Sequence, residues 1–227
     1  MKKYTLPLIA LSLCSMTATA VTPDWANFAR YSAANDSIAA LPTDPSRTVM
    51  MGNSITQIWP GYDRAFFTDN NLVCRGISGQ TSYQMLSRFR DDVVRLRPAT
   101  VVICAGTNDI AENSHPYSEE RTLGNIMSMA EIARANNIRV VLASVPPAVA
   151  FPWRKEIENV GEKIIALNRR IKEYAAANGL TYIDYHSALA GTDGLAPAAG
   201  LTTDGVHPSL AGFRIMEAEL LKGLSAK

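Results

Sequence analysis

The amino-acid sequence predicts an α/β protein built on a five-stranded parallel sheet with helices on both faces. Three observations carry this expectation. Five short apolar runs alternate along the chain with longer stretches of helical periodicity. The runs are mostly continuous rather than alternating in polarity, as strands buried on both faces require. Each run ends in a polar or glycine-containing turn, which would place those turns along one rim of the sheet.

Taken in order, Asp24 to Ala40 carries Trp25, Phe28 and Tyr31 at near-helical spacing and is expected to pack on the outside of the core. Pro42 to Ser46 is a connector. The apolar runs are Thr48–Met51, Leu72–Gly76, Thr100–Ala105, Arg139–Val145 and Thr181–Tyr185. Between them, Leu86, Phe89, Val93 and Leu96 step by three and four residues until Pro98 stops the pattern. Leu123, Ile126, Met127, Ala130 and Ala133 do the same after Ser118, a suitable N-cap. Val160, Ile164, Leu167, Ile171 and Tyr174 form a third stripe, closed by Asn178-Gly179. A last helix is expected from near Pro208, burying Leu210, Phe213, Met216 and Leu220.

The chain has 227 residues, enough for one domain with a sizeable core, and its apolar (47%) and charged (19%) fractions are those of a globular protein. Lys2 and Lys3, the apolar Leu6 to Leu13 and the small-residue site Ala18-Thr19-Ala20 read as a leader cleaved after Ala20. The apolar run is too short for a permanent anchor. The expectation is therefore a signal peptide over residues 1–20, one domain over 21–227, and export to a periplasm or beyond. Lipidation at Cys14 is the alternative, opposed by the bulk of Leu13. Without residues 1–20, 20 basic side chains face 21 acidic ones, so no basic surface for nucleic acid or anionic lipid is implied, nor stable membrane insertion. Cys74 and Cys104 lie in apolar runs and read as buried free thiols, with a disulfide the alternative.

Four turns carry the chemistry. They are Gly52-Asn53-Ser54, Gly76-Ile77-Ser78-Gly79-Gln80-Thr81, Gly106-Thr107-Asn108-Asp109 and Asp204-Gly205-Val206-His207-Pro208. A serine hydroxyl becomes a nucleophile when a base takes its proton, and histidine suits that task near neutrality. The histidine needs a carboxylate on its other nitrogen, and Asp204 stands three residues before His207. The backbone N–H groups of Ser54 and Gly79 and the side-chain amide of Asn108 would face the oxyanion. Losing one such donor typically costs about 2.7–4 kcal/mol of barrier.

These four blocks, in this order from Gly52 to Pro208, resemble those of the SGNH (GDSL-type) hydrolases. Within that family the chain is most similar to the branch of bacterial acetylesterases and platelet-activating-factor acetylhydrolase-like proteins. The resemblance implies a flavodoxin-like three-layer α/β/α sandwich and a Ser–His–Asp mechanism on ester substrates without cofactor or metal. It also makes Ser54 the nucleophile, His207 the base, Asp204 its orienter, and Ser54, Gly79 and Asn108 the oxyanion hole. Asn53 stands where the family's signature has aspartate, which bears on how the serine loop is pinned.

Taken singly, Ser54 could be a turn residue, His207 a helix cap and Asp204 a loop brace. Their joint placement at strand ends favours the catalytic reading. His115 is a candidate for the cleft or a surface loop residue, and His186 reads as structural. No His, Cys or carboxylate spacing resembles a metal site. Gly52-x-Ser54-x-Thr56 does not match the Gly-x-Ser-x-Gly elbow, and no Gly-Lys-Ser/Thr marks a phosphate loop.

Expected substrate walls are Ile58 and Trp59, His115 and Tyr117, and Phe151, Trp153 and Arg154; those singled out for binding are Trp59, His115, Trp153 and Arg154. Ordinary packing is the alternative for Trp59 and Trp153. Aromatic and polar groups together suit a small acyl ester or an acylated carbohydrate. The leading expectation is an exported esterase releasing acetyl or other short acyl groups. A lysophospholipase or thioesterase of the same family, an acyltransferase and a carbohydrate-binding module are the alternatives, and oligomeric state stays open.

Overall fold

In a computed structural model of the protein, residues 24–226 are described; the expected leader, with Cys14, lies outside them. The five apolar runs become β1 (Thr48–Gly52), β2 (Leu72–Gly76), β3 (Thr100–Ile103), β4 (Arg139–Ala143) and β5 (Thr181–Ile183). All pair in parallel, in the order β2-β1-β3-β4-β5. This is the flavodoxin-like order, whose switch point lies between β1 and β3. Helix α1 (Ser32–Ala39) precedes β1. Helices α2 (Ser54–Tyr62) and α3 (Arg64–Asp69) lead to β2, and α4 (Ser82–Asp92) leads to β3. Helices α5 (Thr107–Ile110) and α6 (Glu119–Ala135) lead to β4, and α7 (Val160–Ala177) to β5. Helices α8 (Tyr185–Leu189) and α9 (Leu210–Ser225) close the fold.

Successive strand side chains point to opposite faces, and this divides the core in two. Val49, Met51, Val101, Ile103, Val140 and Leu142 pack with Phe89 of α4, Ile126 of α6 and Ile164 of α7. Met50, Val102 and Val141 pack on the other face with Trp59 of α2, Phe67 of α3, Tyr185 of α8 and Phe213 of α9. The result is the expected three-layer sandwich. Among the described residues, no helix is long and apolar enough to cross a membrane.

The helix limits follow from capping chemistry. Ser118 accepts from the Arg121 N–H at the start of α6, and Ser209 accepts from the Gly212 N–H at the start of α9. Helix α7 ends at Asn178, followed by Gly179 with φ of 64°. Cys74 and Cys104 are free thiols, and burial pushes the Cys104 thiol up to about 12.

Several expectations are corrected. Three strands stop two residues short, at Ile103, Ala143 and Ile183. After Ile103 and Ala143 the chain stays buried in turns at the rim, where burial persists after sheet pairing has ended; after Ile183, Asp184 caps α8 and Tyr185 is buried as its first residue. The Asp24–Ala40 segment does not dock through its aromatic stripe: Trp25 and Phe28 are exposed, whereas Ala26 and Asn35 are buried. Tyr31 is half-buried and donates to the Gly76 carbonyl at 2.5 Å. Leu210 is exposed because Ser209 starts the helix with Phe213, Met216 and Leu220 facing inward.

His186, in α8, is buried, and among the described residues its Nε2 has no hydrogen-bond partner. Burial pulls its imidazole below the ordinary value, against the opposing pull of Asp184. The unfolded chain therefore binds this proton more readily than the folded one. Stability is fully present above the unfolded value of about 6.5 and is lost as pH falls through the lower folded value. Urea midpoints are expected to fall on acidification through this window, and His186→Leu is expected to flatten that part of the profile. An unchanged slope in the variant would contradict the assignment.

Candidate active site

The carboxyl ends of β1 and β3 frame the site. Asn53 caps α2, its Oδ1 accepting from the Ile55 N–H at 3.1 Å, so Ser54 becomes the first helical residue. At that position an N–H is not consumed by the helix and can face a developing negative charge. The neutral amide of Asn53 thus pins the serine loop as a helix cap. Gly76 lets the end of β2 come close beneath it: a Cβ there would sit 2.3 Å from the Gln57 nitrogen and 2.6 Å from the Asn53 oxygen. Gln57 in turn accepts from the Ser78 N–H at 2.7 Å, tying α2 to the following loop.

In that loop Gly79 has φ of 77°, a left-handed conformation that favours glycine. Asn108, on α5, donates through Nδ2 to the Gln80 carbonyl at 3.0 Å. Ser54, Gly79, Asn108 and His207 all line one cleft of about 320 Å³, together with Ser78, Asn113 and Trp153.

The loop before α9 brings His207 to the same cleft, with Asp204 behind it. His207 Nε2 lies 2.9 Å from Ser54 Oγ, and Nδ1 lies 2.7 Å from Asp204 Oδ2. The other carboxylate oxygen, Oδ1, accepts from the backbone N–H groups of Val206 and His207 at 3.0 and 2.7 Å. Partial burial pushes the Asp204 carboxyl up, but the His207 backbone and imidazole and the Val206 N–H outweigh it and hold it below the usual range. The carboxylate is then acceptor only. It assigns the proton to Nδ1 and leaves Nε2 to accept from the Ser54 hydroxyl. Such an arrangement can move a proton off a serine hydroxyl while stabilising the imidazolium.

The residues expected as substrate walls divide. Trp153 is 41% exposed, lines the cleft and lies with its ring centroid 5.9 Å from that of His207. Trp59 does not reach the cleft. Helix α2 carries it away from the rim and into the core, 1% exposed, against Phe213, Phe67 and Tyr185, with Nε1 donating to Glu217 at 3.3 Å. His115 turns from the cleft to pack on Tyr83 at 4.0 Å, its Nδ1 donating to the Pro116 carbonyl. Arg154 is held by Glu156 and the Glu112 carbonyl, both at 2.6 Å, and braces the loop instead of lining the cleft.

Two buried groups support the site in roles that the sequence does not reveal. Asp109 is fully buried and accepts from the Ser82 N–H and hydroxyl, the latter at 2.5 Å, joining α5 to the start of α4. Burial pushes its carboxyl up against these hydrogen bonds. Arg88, also fully buried, donates to the carbonyls of Gly52 and Arg75, to Gln80 Oε1 and to Asp92. It thereby supports both the serine loop and the Gly79 loop. Asp109 lies in the third of the four turns and Arg88 between the expected apolar positions of α4, and neither placement reveals a partner.

The comparisons with known proteins agree with this architecture. The family model described as the GDSL-like Lipase/Acylhydrolase family matches residues 36–215, and the chain belongs to that family. It is a carboxylic ester hydrolase. The fold is similar to that of a GDSL-like lipase from Bacteroides thetaiotaomicron, at 48% identity and a TM-score of 0.84, covering 88% of this chain and 97% of that one. The sequence is 31% identical over 147 residues to esterase TesA of Pseudomonas aeruginosa, covering 63% of this chain and 64% of that one. It is 25% identical over 161 residues to an acetylxylan esterase of Geobacillus stearothermophilus, covering 66% and 70%.

Removing one partner of the buried Arg88–Asp92 pair strands the other charge. Arg88→Met is expected to lower unfolding stability by about 3–5 kcal/mol in urea titration. Adding Asp92→Leu is expected to recover part of that loss. A single variant as stable as the wild type would contradict the role given to Arg88.

Proposed function

We propose that this chain is an exported serine esterase that releases acetyl or other short acyl groups, with acylated carbohydrate as the substrate class. The observation that carries the reading is the continuous chain Asp204–His207–Ser54, at 2.7 and 2.9 Å. His207 takes the proton as Ser54 Oγ attacks the ester carbonyl, and Asp204 stabilises the imidazolium. The N–H groups of Ser54 and Gly79 and the Asn108 amide receive the oxyanion. The alcohol leaves with the proton from His207, and water then frees the acyl group by the same route.

Cleft size and lining support short acyl groups. Around about 320 Å³, Trp153 is the one large apolar side chain, and the other lining residues are polar or glycine. The exposed indole of Trp153 offers a flat apolar face at the rim, suited to the C–H face of a sugar ring. Similarity to an acetylxylan esterase points the same way. Export rests on the charged, apolar and small-residue pattern of residues 1–20.

Ser54→Ala is expected to fold normally and to lose ester hydrolysis by a factor on the order of 10⁵–10⁶ in kcat. Unchanged hydrolysis would refute the nucleophile. Across acetyl, butyryl, octanoyl and dodecanoyl nitrophenyl esters, kcat/KM is expected to be greatest at the short end. Greatest turnover on octanoyl or longer esters would refute the short-acyl reading.

A further inference from the structure

Asn113 stands in the loop after α5, and no step of the mechanism above uses it. Its surroundings give it a single orientation. The Trp153 indole N–H can only donate, and it donates to Asn113 Oδ1 at 3.0 Å. Asn113 Nδ2 must then face the other way, where it donates to the Gly79 carbonyl at 3.1 Å and to Asn108 Oδ1 at 3.0 Å. Because Asn108 Oδ1 is taken by that donor, Asn108 Nδ2 points to the Gln80 carbonyl, which can only accept. The second N–H of the same amide remains for the cleft. Turning either amide over would set donor against donor or acceptor against acceptor.

From this geometry we infer that Asn113 is a positioning residue, which couples Trp153 at the cleft wall to the Asn108 amide and the Gly79 loop. It rests on the reading of Asn108 as an oxyanion donor and Ser54 as nucleophile. Asn113 fixes which end of the Asn108 amide meets the oxyanion, and it holds the Gly79 carbonyl, in the peptide next to the one that carries the Gly79 N–H. The loop that carries it is clamped twice from one segment, since Arg154 Nη1 donates to the Glu112 carbonyl at 2.6 Å beside the Trp153 bond. Glu112 has φ of 53°, the turn that brings Asn113 back over Gly79. Contact of a substrate with Trp153 is thereby felt at the oxyanion hole. Specificity at the wall and rate at the carbonyl share one hydrogen-bonded relay.

The test compares Asn113→Ala, Trp153→Phe, Asn108→Ala and the Asn108→Ala/Asn113→Ala pair on nitrophenyl acetate, with Ser54→Ala in parallel. Asn113→Ala is expected to lower kcat about ten- to a hundredfold with KM nearly unchanged, because the lost interaction is made in the transition state. Trp153→Phe keeps the exposed ring and removes the N–H; it is expected to lower kcat severalfold with KM nearly unchanged. If Asn113 acts through Asn108, adding Asn113→Ala to Asn108→Ala is expected to cost less than about threefold more. Wild-type kcat in Asn113→Ala, or effects that multiply in the double variant, would overturn the relay while an inactive Ser54→Ala left the esterase mechanism standing. Retained hydrolysis in Ser54→Ala would overturn both together. A merely structural role for Asn113 would show instead as a lower melting temperature without the split between kcat and KM.

Discussion

The site hangs on a charge placed where charge is expensive. Arg88 has no solvent exposure, and moving a guanidinium out of water costs several kcal/mol unless its donors are met. Here four of its five N–H groups are met, by the carbonyls of Gly52 at the end of β1 and Arg75 near the end of β2, by Gln80 and by Asp92, at 2.6 to 3.1 Å. Asp92 also accepts from Asn35 at 2.6 Å, and Asn35 accepts from Arg75 at 2.8 Å. The Arg75 guanidinium lies 4.7 Å from the centroid of the Tyr31 ring. The segment before β1 is therefore bound to the rim through polar groups, which explains why its aromatic residues Trp25 and Phe28 remain exposed. Arg75 Nη2 is buried with no hydrogen-bond partner among the described residues, so the well-paired part of this network is the part centred on Arg88. It fixes the spacing between the serine loop and the Gly79 loop more sharply than apolar packing could.

Rigid support and exposed chemistry are divided between the two sides of the rim. Beneath the loops, Arg88 and Asp109 are wholly buried and close their hydrogen bonds within the protein. Above them, Asp204 and His207 have side chains 38% and 21% exposed, on a short loop whose conformation is set by two backbone N–H bonds to Asp204. A partly hydrated carboxylate held below its usual range stays ionised at neutral pH without burying a second charge. The acceptor-only state of Asp204 then dictates the tautomer of His207. Loop geometry thus sets the proton position, and the proton position leaves Nε2 facing Ser54.

Sheet and helices were legible because continuous apolar runs and stripes at steps of three and four each admit one simple burial pattern. The four blocks named Ser54, Gly79, Asn108, Asp204 and His207; the fold brings Ser54, Gly79, Asn108 and His207 to one cleft, with Asp204 bonded to His207 behind it. What stayed hidden depends on direction or on distant partners. Trp59 follows Ser54 by five residues, and periodicity does not say whether a helix turns an aromatic ring toward a cleft or a core. Strand ends at Ile103 and Ala143 were unreadable because buried turns continue the apolar runs, and the end at Ile183 because the buried Tyr185 of α8 follows so soon. Arg88 and Asn113 gain their meaning only from groups brought near by folding, such as Gly52 and Trp153.

The central claim is that Ser54 is the reactive hydroxyl, poised by His207. Covalent labelling with a fluorophosphonate, followed by peptide mapping, tests it most directly. One adduct, on the peptide bearing Ser54, with ester hydrolysis lost in proportion to labelling, is the result expected. An adduct on another residue, or full hydrolysis after Ser54 has been modified, would contradict it.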